Sequence, residues 1–288
     1  MLALTAACGG EEALVASRAA PRVQNQLLFS SMRDGAFDLF VMHAEGGVAR
    51  PLTAQASAVD QQGDYAPDGF SLAFMSNRSG TYQVYVMGID GRGVRQLTTS
   101  RGANGFPRWS PDGTQLLFTS SRDGNFELYR MRSDGSGQER LTMNAGDDMG
   151  GAWSPDGSRI AFVSARGGAR ELYVMLANGS AQTRLTFDGL NKGTRVAWSP
   201  DGTRIAYHAD NGGNTDVYVI SARGGAPQAL ASGAAMDRYP VWSPDGERLA
   251  FSSDRDGDEE IYVMPATGGA ARRLTTSPGV DIPDAWVR

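Results

Sequence analysis

Cysteine is almost missing from this chain: Cys8 is the only one in 288 residues. A disulfide framework and a zinc site built on cysteines are therefore excluded. Histidine is nearly as scarce, with only His43 and His208, too few for a metal centre built on several imidazoles. A basic excess is missing as well. The 27 basic residues face 32 acidic ones, for a formal charge of −5, which argues against a nucleic-acid interface, since that needs a basic face to neutralise phosphates. No run approaches the roughly 18 apolar residues that span a bilayer. No segment keeps the 3.6-residue period of an amphipathic helix, and no Gly-x-Ser-x-Gly elbow occurs to carry a nucleophilic serine.

Glycine, by contrast, is abundant. The 37 glycines are nearly twice the average usage of about 7 % and imply many tight turns between many short strands. With 41 % hydrophobic residues the chain can bury a sizeable core and does not have the composition of a disordered segment.

An internal repeat organises these turns. Ser-Pro-Asp-Gly occurs at 110–113, 154–157, 199–202 and 243–246, with Ala-Pro-Asp-Gly at 66–69. Each copy follows an aromatic residue (Tyr65, Trp109, Trp153, Trp198, Trp242), and Trp286 continues the series at spacings of 44, 44, 45, 44 and 44. All five tryptophans lie on this register. Each Gly turn is followed by an apolar strand, as in Leu116–Ser120 and Ile160–Ser164. A polar turn, a second apolar strand such as Glu127–Met131, a Gly-rich hairpin and a short strand ending in Leu-Thr come next. Proline fixes φ, aspartate bonds its own backbone and glycine takes φ > 0, so the tetrapeptide is turn chemistry. Runs such as Ile160-Ala161-Phe162-Val163 are apolar on both faces, which requires cover on both sides.

Four short strands per repeat make one blade of a propeller. The expected fold is all-β: a six-bladed β-propeller of four-stranded blades over residues 25–288, which is six lengths of 44. The first repeat lacks its aromatic strand, and Asp284-Ala285-Trp286-Val287 is left over at the end. The C-terminal Trp strand is therefore expected to complete the first blade and close the ring, leaving no open sheet edge.

The segment 242–264 joins Trp-Ser-Pro-Asp-Gly to Leu-Ala-Phe-Ser-Ser, Asp-Arg-Asp-Gly and Glu-Ile-Tyr-Val-Met. It resembles the TolB-like, WD-repeat-like propellers, and the resemblance covers 25–288. Full TolB architecture includes an α/β domain ahead of the propeller. The resemblance here is to the propeller domain without it. Fold alone does not assign an activity. The resemblance, taken with the variable acidic rim described below, implies a non-catalytic, protein- or peptide-binding module of the bacterial envelope. It would be periplasmic or anchored to the outer membrane, monomeric, and without a cofactor. A metal-dependent saccharide- or peptide-processing enzyme, centred on His208, is the alternative, and a purely structural scaffold is a third.

If the aromatic strand is innermost, the crossings that lead into it and the turns after each second strand share one face, and the Pro-Asp-Gly turns lie on the other. The crossings vary between repeats, as a specialised face would. They supply the candidate partner-binding residues: Asp64, Asn104, Phe106, Asp147, Asp148, Met149, Lys192, Asp237, Tyr239 and Asp281. Acidic groups with a few aromatic and Met anchors suit a protein ligand with basic anchors. Arg33, Arg78, Arg122, Arg166 and Arg255, in the turns on the same face, are expected to pair with aspartates between blades. Asp254, Asp256 and Asp258 have calcium-loop spacing at the start, but the Gly comes at the fourth position and no acid at the twelfth, which makes a plain turn.

Residues 1–24 read differently. Leu4-Thr5-Ala6-Ala7-Cys8 is like the tail of a bacterial lipoprotein signal peptide, short of its basic and most of its apolar regions. Cys8 is therefore the candidate lipidation site, and membrane association is expected only through that anchor. The Ala-rich stretch 11–24 reads as a linker.

Overall fold

The computed structural model describes residues 25–54 and 57–287, so Cys8 and the segment around it lie outside the described residues. Twenty-four strands run in chain order. The first blade begins with β1 (Gln26–Ser31), β2 (Asp38–His43) and β3 (Arg50–Pro51). The second holds β4 (Asp60–Tyr65), β5 (Ser71–Ser76), β6 (Gln83–Gly88) and β7 (Arg95–Gln96). The third holds β8 (Asn104–Trp109), β9 (Gln115–Ser120), β10 (Glu127–Arg132) and β11 (Glu139–Arg140), and the fourth β12 (Asp148–Trp153), β13 (Arg159–Gly167), β14 (Ala169–Leu176) and β15 (Thr183–Arg184). The fifth holds β16 (Asn191–Trp198), β17 (Arg204–Asp210), β18 (Thr215–Ser221) and β19 (Gln228–Ala231). The sixth holds β20 (Asp237–Trp242), β21 (Arg248–Ser253), β22 (Glu260–Pro265) and β23 (Arg272–Arg273), after which β24 (Asp281–Trp286) remains.

These strands form six antiparallel four-stranded sheets, and β24 pairs with β1 to give the order β24-β1-β2-β3. The chain is an all-β six-bladed propeller, and its C-terminal Trp strand closes the ring. The aromatic strands β4, β8, β12, β16, β20 and β24 are innermost and neighbour one another around the axis.

The core lies between blades. Leu116, Phe118, Tyr129 and Met131 of the third blade pack on Ala73, Val84 and Leu97 of the second. At the closing junction Ala250, Ile261 and Val263 of the sixth blade pack on Leu27, Phe29, Phe40 and Met42 of the first, together with Trp286. Each strand of such a sheet is covered on both faces, so the apolar runs do not alternate. The Pro-Asp-Gly turns link neighbours as well. Gly113, Gly157, Gly202 and Gly246 have φ of 69–73°, and a Cβ there would touch Pro67, Pro111, Pro155 and Pro200 of the preceding blade.

Two polar locks recur inside the blades. In the first, an arginine from the turn after the second strand donates from Nε to the serine two residues earlier, and from Nη2 to the residue that opens the inner strand. Arg166 bonds Ser164 at 2.7 Å and Asp148 at 2.8 Å; Arg78 bonds Ser76 at 2.9 Å and Asp60 at 2.7 Å. Arg33 with Asp281, Arg122 with Asn104 and Arg255 with Asp237 repeat it. The guanidinium also lies over a cross-strand aromatic pair, as Arg166 does over Tyr173 at 4.7 Å. The expected arginine–aspartate pairs therefore exist, but within blades rather than between them. In the second lock, the Thr of Leu-Thr donates to the acid or amide that opens the third strand, as Thr53 does to Asp38 and Thr98 to Gln83 at 2.7–2.8 Å.

Candidate functional site

Each inner strand runs from the crossing face to the Pro-Asp-Gly face, so position along it decides what a residue can meet. The residues that open the strand are spent on the fold. Asn104, Asp148, Asp237 and Asp281 are at most 1 % exposed and are held by the arginines just described. Lys192, in the fifth blade, is fully buried and bonds Asp188, the Leu190 carbonyl (2.8 Å) and Glu171 of the preceding blade (3.1 Å). These five were expected on a binding rim. The crossing face presents instead the arginines that hold the first four, and the crossing backbone.

Next along the strand is a register shift, found in every inner strand. Gln62, Phe106 and Tyr239 occupy it with φ of 59, 54 and 54°, and Gly150 with 64°. Each donates its amide to a side chain: Gln62 to Ser30 (3.2 Å), Phe106 to Gln62 (3.0 Å), Gly150 to Thr119 (3.2 Å) and Tyr239 to His208 (3.3 Å). A non-Gly residue at such φ persists only where its surroundings hold it, and these bonds supply the hold. Phe106, Met149 and Tyr239 are half-buried at this throat, and half-buried Asp147 accepts the Phe126 amide at 3.0 Å. His208 is buried, accepts through Nδ1, and has its Nε2 against Gly193, where a Cβ would clash at 1.8 Å. Burial, then the charges of Arg238, Arg195 and Arg170, push its pKa down to about 3. No group of three or more His, Cys, Asp or Glu able to hold a metal occurs among the described residues.

Asp64 departs from expectation in direction. It sits one residue before Tyr65 and therefore at the other end of the strand, in an axial cavity of about 290 Å³ that opens among the Pro-Asp-Gly turns. All five tryptophans line this cavity. Below them stand Asp64, Arg108, Arg195 and Asp284. Arg195 pairs with Asp284, which also accepts the Ser30 hydroxyl at 2.5 Å, and lies over the Tyr239 ring at 5.1 Å. Asp64 accepts the Trp109 amide at 2.7 Å, and burial pushes its pKa up to about 6 against the pull of Arg108. Sequence reasoning missed Arg108, Arg195 and Asp284; the inner-strand alternation that carries them is broken by the register shift.

The crossing face also carries exposed large apolar side chains, of which Phe187 lies under the Arg184 guanidinium and Met236 contacts Arg238. Met143 is 79 % exposed, Phe187 74 % and Met236 36 %, one on each of three successive crossings into β12, β16 and β20.

A family model for the TolB beta propeller domain matches residues 13–105, 93–196 and 191–287. The chain belongs to the TolB β-propeller domain family. Among solved structures, TolB from Acinetobacter baumannii superposes with a TM-score of 0.81 at 25 % identity, over 91 % of this chain and 66 % of that one. This chain thus spans just under two thirds of that protein. A TolB-type protein of Agrobacterium tumefaciens gives 0.71 at 20 % identity, over 91 % and 92 %. An oligogalacturonate lyase in complex with manganese shares the fold at 0.57 and 16 % identity, over 84 % and 86 %. No curated protein sequence matches.

Proposed function

We propose that this TolB-family propeller is a non-catalytic module of the bacterial cell envelope that holds a protein or peptide partner over its crossing face. The observation that carries the reading is the arc of Met143, Phe187 and Met236 on three successive crossings. Large apolar side chains grouped on one face mark interaction sites, and Met adapts its shape to a partner surface. Beside the arc, Asp147 adds negative charge, which suits a partner with a basic anchor, whereas Asp188 is already paired with Lys192. The polar residues of the strand openings keep the face rigid rather than touch the partner. Family membership supports the envelope setting. The enzyme alternative rests on His208, whose Nδ1 is already taken by the Tyr239 amide, and no observation favours it.

The test is affinity capture from bacterial envelope extract with the full chain, beside a Met143→Glu/Phe187→Glu variant. Both positions are exposed, so the variant should melt like the parent. A partner retained by the parent and lost by the variant is the expected result. Equal capture by both, or no protein enriched over an unrelated propeller, refutes the reading.

A further inference from the structure

The six blade junctions are not closed alike. At three of them the first residue of the second strand is an arginine laid over the tryptophan of the next blade. Arg159 covers Trp198 at 4.9 Å, Arg204 covers Trp242 at 4.6 Å and Arg248 covers Trp286 at 5.0 Å. In the same three junctions the indole N–H is satisfied: Trp198 donates to the Ala152 carbonyl and Trp242 to the Ala197 carbonyl at 3.1 Å, and Trp286 to Asn25 at 3.3 Å.

At the junctions before Trp109 and Trp153 the arginine is replaced by Ser71 and Gln115. No cation covers either indole among the described residues, and neither buried Nε1–H has a partner. A cleft opens at each, about 570 Å³ beside Trp109 and about 380 Å³ beside Trp153. The cleft at Trp153 also holds a second orphan, the buried Gln115 Oε1. Its mouth carries the carboxylates of Asp112 and Asp156, each held below the usual carboxylate range by hydroxyl and amide hydrogen bonds. Arg130 reaches its rim, where it donates to the Ala177 carbonyl at 3.4 Å and is neutralised by Glu139 at 2.8–2.9 Å. The cleft at Trp109 is lined by Arg95, which donates to the Asp134 carbonyl and disfavours a second cation.

We propose that the cleft between the third and fourth blades is a binding site for an arginine residue of a peptide, whose guanidinium takes the place that Arg159, Arg204 and Arg248 fill at the other junctions. A guanidinium stacks on an indole face and donates in a planar fork. Here it finds Gln115 Oε1 as a neutral acceptor and Asp112 and Asp156 as charged ones. The orphaned Trp153 N–H requires an acceptor, which the ligand's own backbone carbonyl supplies; a bare guanidinium ion would satisfy only half of the site. The site lies among the Pro-Asp-Gly turns, opposite the crossing face, so the partner proposed above and this peptide arginine stand or fall separately.

The probe is Nα-acetyl-arginine methylamide, with the citrulline counterpart and guanidinium ion as controls, titrated into the full chain. The readout is the set of five indole N–H resonances, with Trp153 assigned by Trp153→Phe. The arginine probe is expected to move the Trp153 resonance saturably. The neutral citrulline counterpart should bind about ten-fold more weakly because it lacks the cation–π contact with its charge pairing, and guanidinium ion should bind more weakly because it brings no carbonyl for the indole N–H. Gln115→Arg, which copies the lid of the other junctions, should abolish the response while keeping the fold. A Trp153 signal that does not titrate, a citrulline probe equal to the arginine one, or full binding by Gln115→Arg overturns the proposal.

Discussion

Removing residues 281–288 tests the ring closure, and Trp286→Ala measures its energetics at one side chain. β24 supplies the whole inner edge of the first blade, from Asp281 opposite Ser31 to Trp286 opposite Leu27. Without it, Leu27, Leu28 and Phe29, all fully buried, border an open sheet edge, and such an edge is a template for aggregation. The truncated chain is therefore expected to be unfolded or aggregated at 25 °C. For the point variant, Trp286 is 9 % exposed within the cluster joining the sixth blade to the first. Deleting a buried Trp side chain costs about 3–5 kcal/mol. At about 2–4 °C per kcal/mol for a domain of this size, the midpoint should fall by about 10 °C. Trp109→Ala is the internal control, since Trp109 has the same repeat position but lacks both the arginine lid and an indole partner. It should cost less by about 1–2 kcal/mol, the combined worth of a cation–π contact and a hydrogen bond. Melts followed by calorimetry and near-ultraviolet circular dichroism read both. A truncated chain with an unchanged midpoint refutes the closure argument. Equal losses from Trp286→Ala and Trp109→Ala refute the energetic ranking.

The arginine locks make a second prediction. Arg166→Ala leaves Asp148 buried without its cation and should cost about 3–5 kcal/mol in a denaturant titration. Asp148→Asn should cost far less, because Asn104 already serves Arg122 in the neighbouring blade; equal losses would show that the charge is what matters. Two buried groups act in opposite directions on stability over the acid range, and single substitutions separate them. Asp64, raised from 3.8 to about 6, is neutral folded or unfolded below about pH 4, so its burial penalty grows as pH rises from 4 to 6, and Asp64→Asn should remove that loss. His208, lowered from 6.5 to about 3, is neutral in both states above about pH 6.5, so its contribution is lost as pH falls through 6.5 toward 3. His208→Gln should flatten that limb, and an unchanged limb would place the titration elsewhere.

The fold was legible because a 44-residue register repeats turn chemistry and tryptophan in step, and six lengths of it close a ring. The site was less legible for two physical reasons. The bulge in each inner strand shifts the side-chain alternation that carries Arg108, Arg195 and Asp284, and Asp64 lies beyond it, at the end of β4 that borders the axial cavity and not the crossing face. The aspartates that open the strands looked like a rim, yet they recur in step with Ser31-x-Arg33, Ser76-x-Arg78, Ser120-x-Arg122, Ser164-x-Arg166 and Ser253-x-Arg255. A charge that repeats with the blade, alongside an opposite charge that repeats with it, belongs to the blade. Residues that break the period hold more information about function: Ser71 and Gln115 where arginine stands at the next three junctions, and Met143 and Phe187 after their Leu-Thr pairs.

The fifth blade breaks the period most fully, and its changes compensate one another. Serine, arginine and aspartate become Ala209, Asn211 and Lys192 together, as the pairing of Lys192 with Ala209 shows. With arginine absent, an aspartate at 192 would be a buried carboxylate facing Glu171 and Asp188 with no cation. Lysine instead spans to Glu171, so a lock within one blade becomes an ion pair between the fourth and fifth. Glu171 also keeps Arg184 at 2.6 Å, so it stays paired if Lys192 is lost. Lys192→Asp should therefore cost about 3–5 kcal/mol. Adding Ala209→Ser and Asn211→Arg to it should recover most of that loss by rebuilding the lock of the other five blades. Recovery in a chemical melt would show the lock to be a transferable unit. A triple variant no more stable than Lys192→Asp alone would show that the extra residue in β16, which gives the 45-residue spacing, has moved the backbone out of reach of the lock.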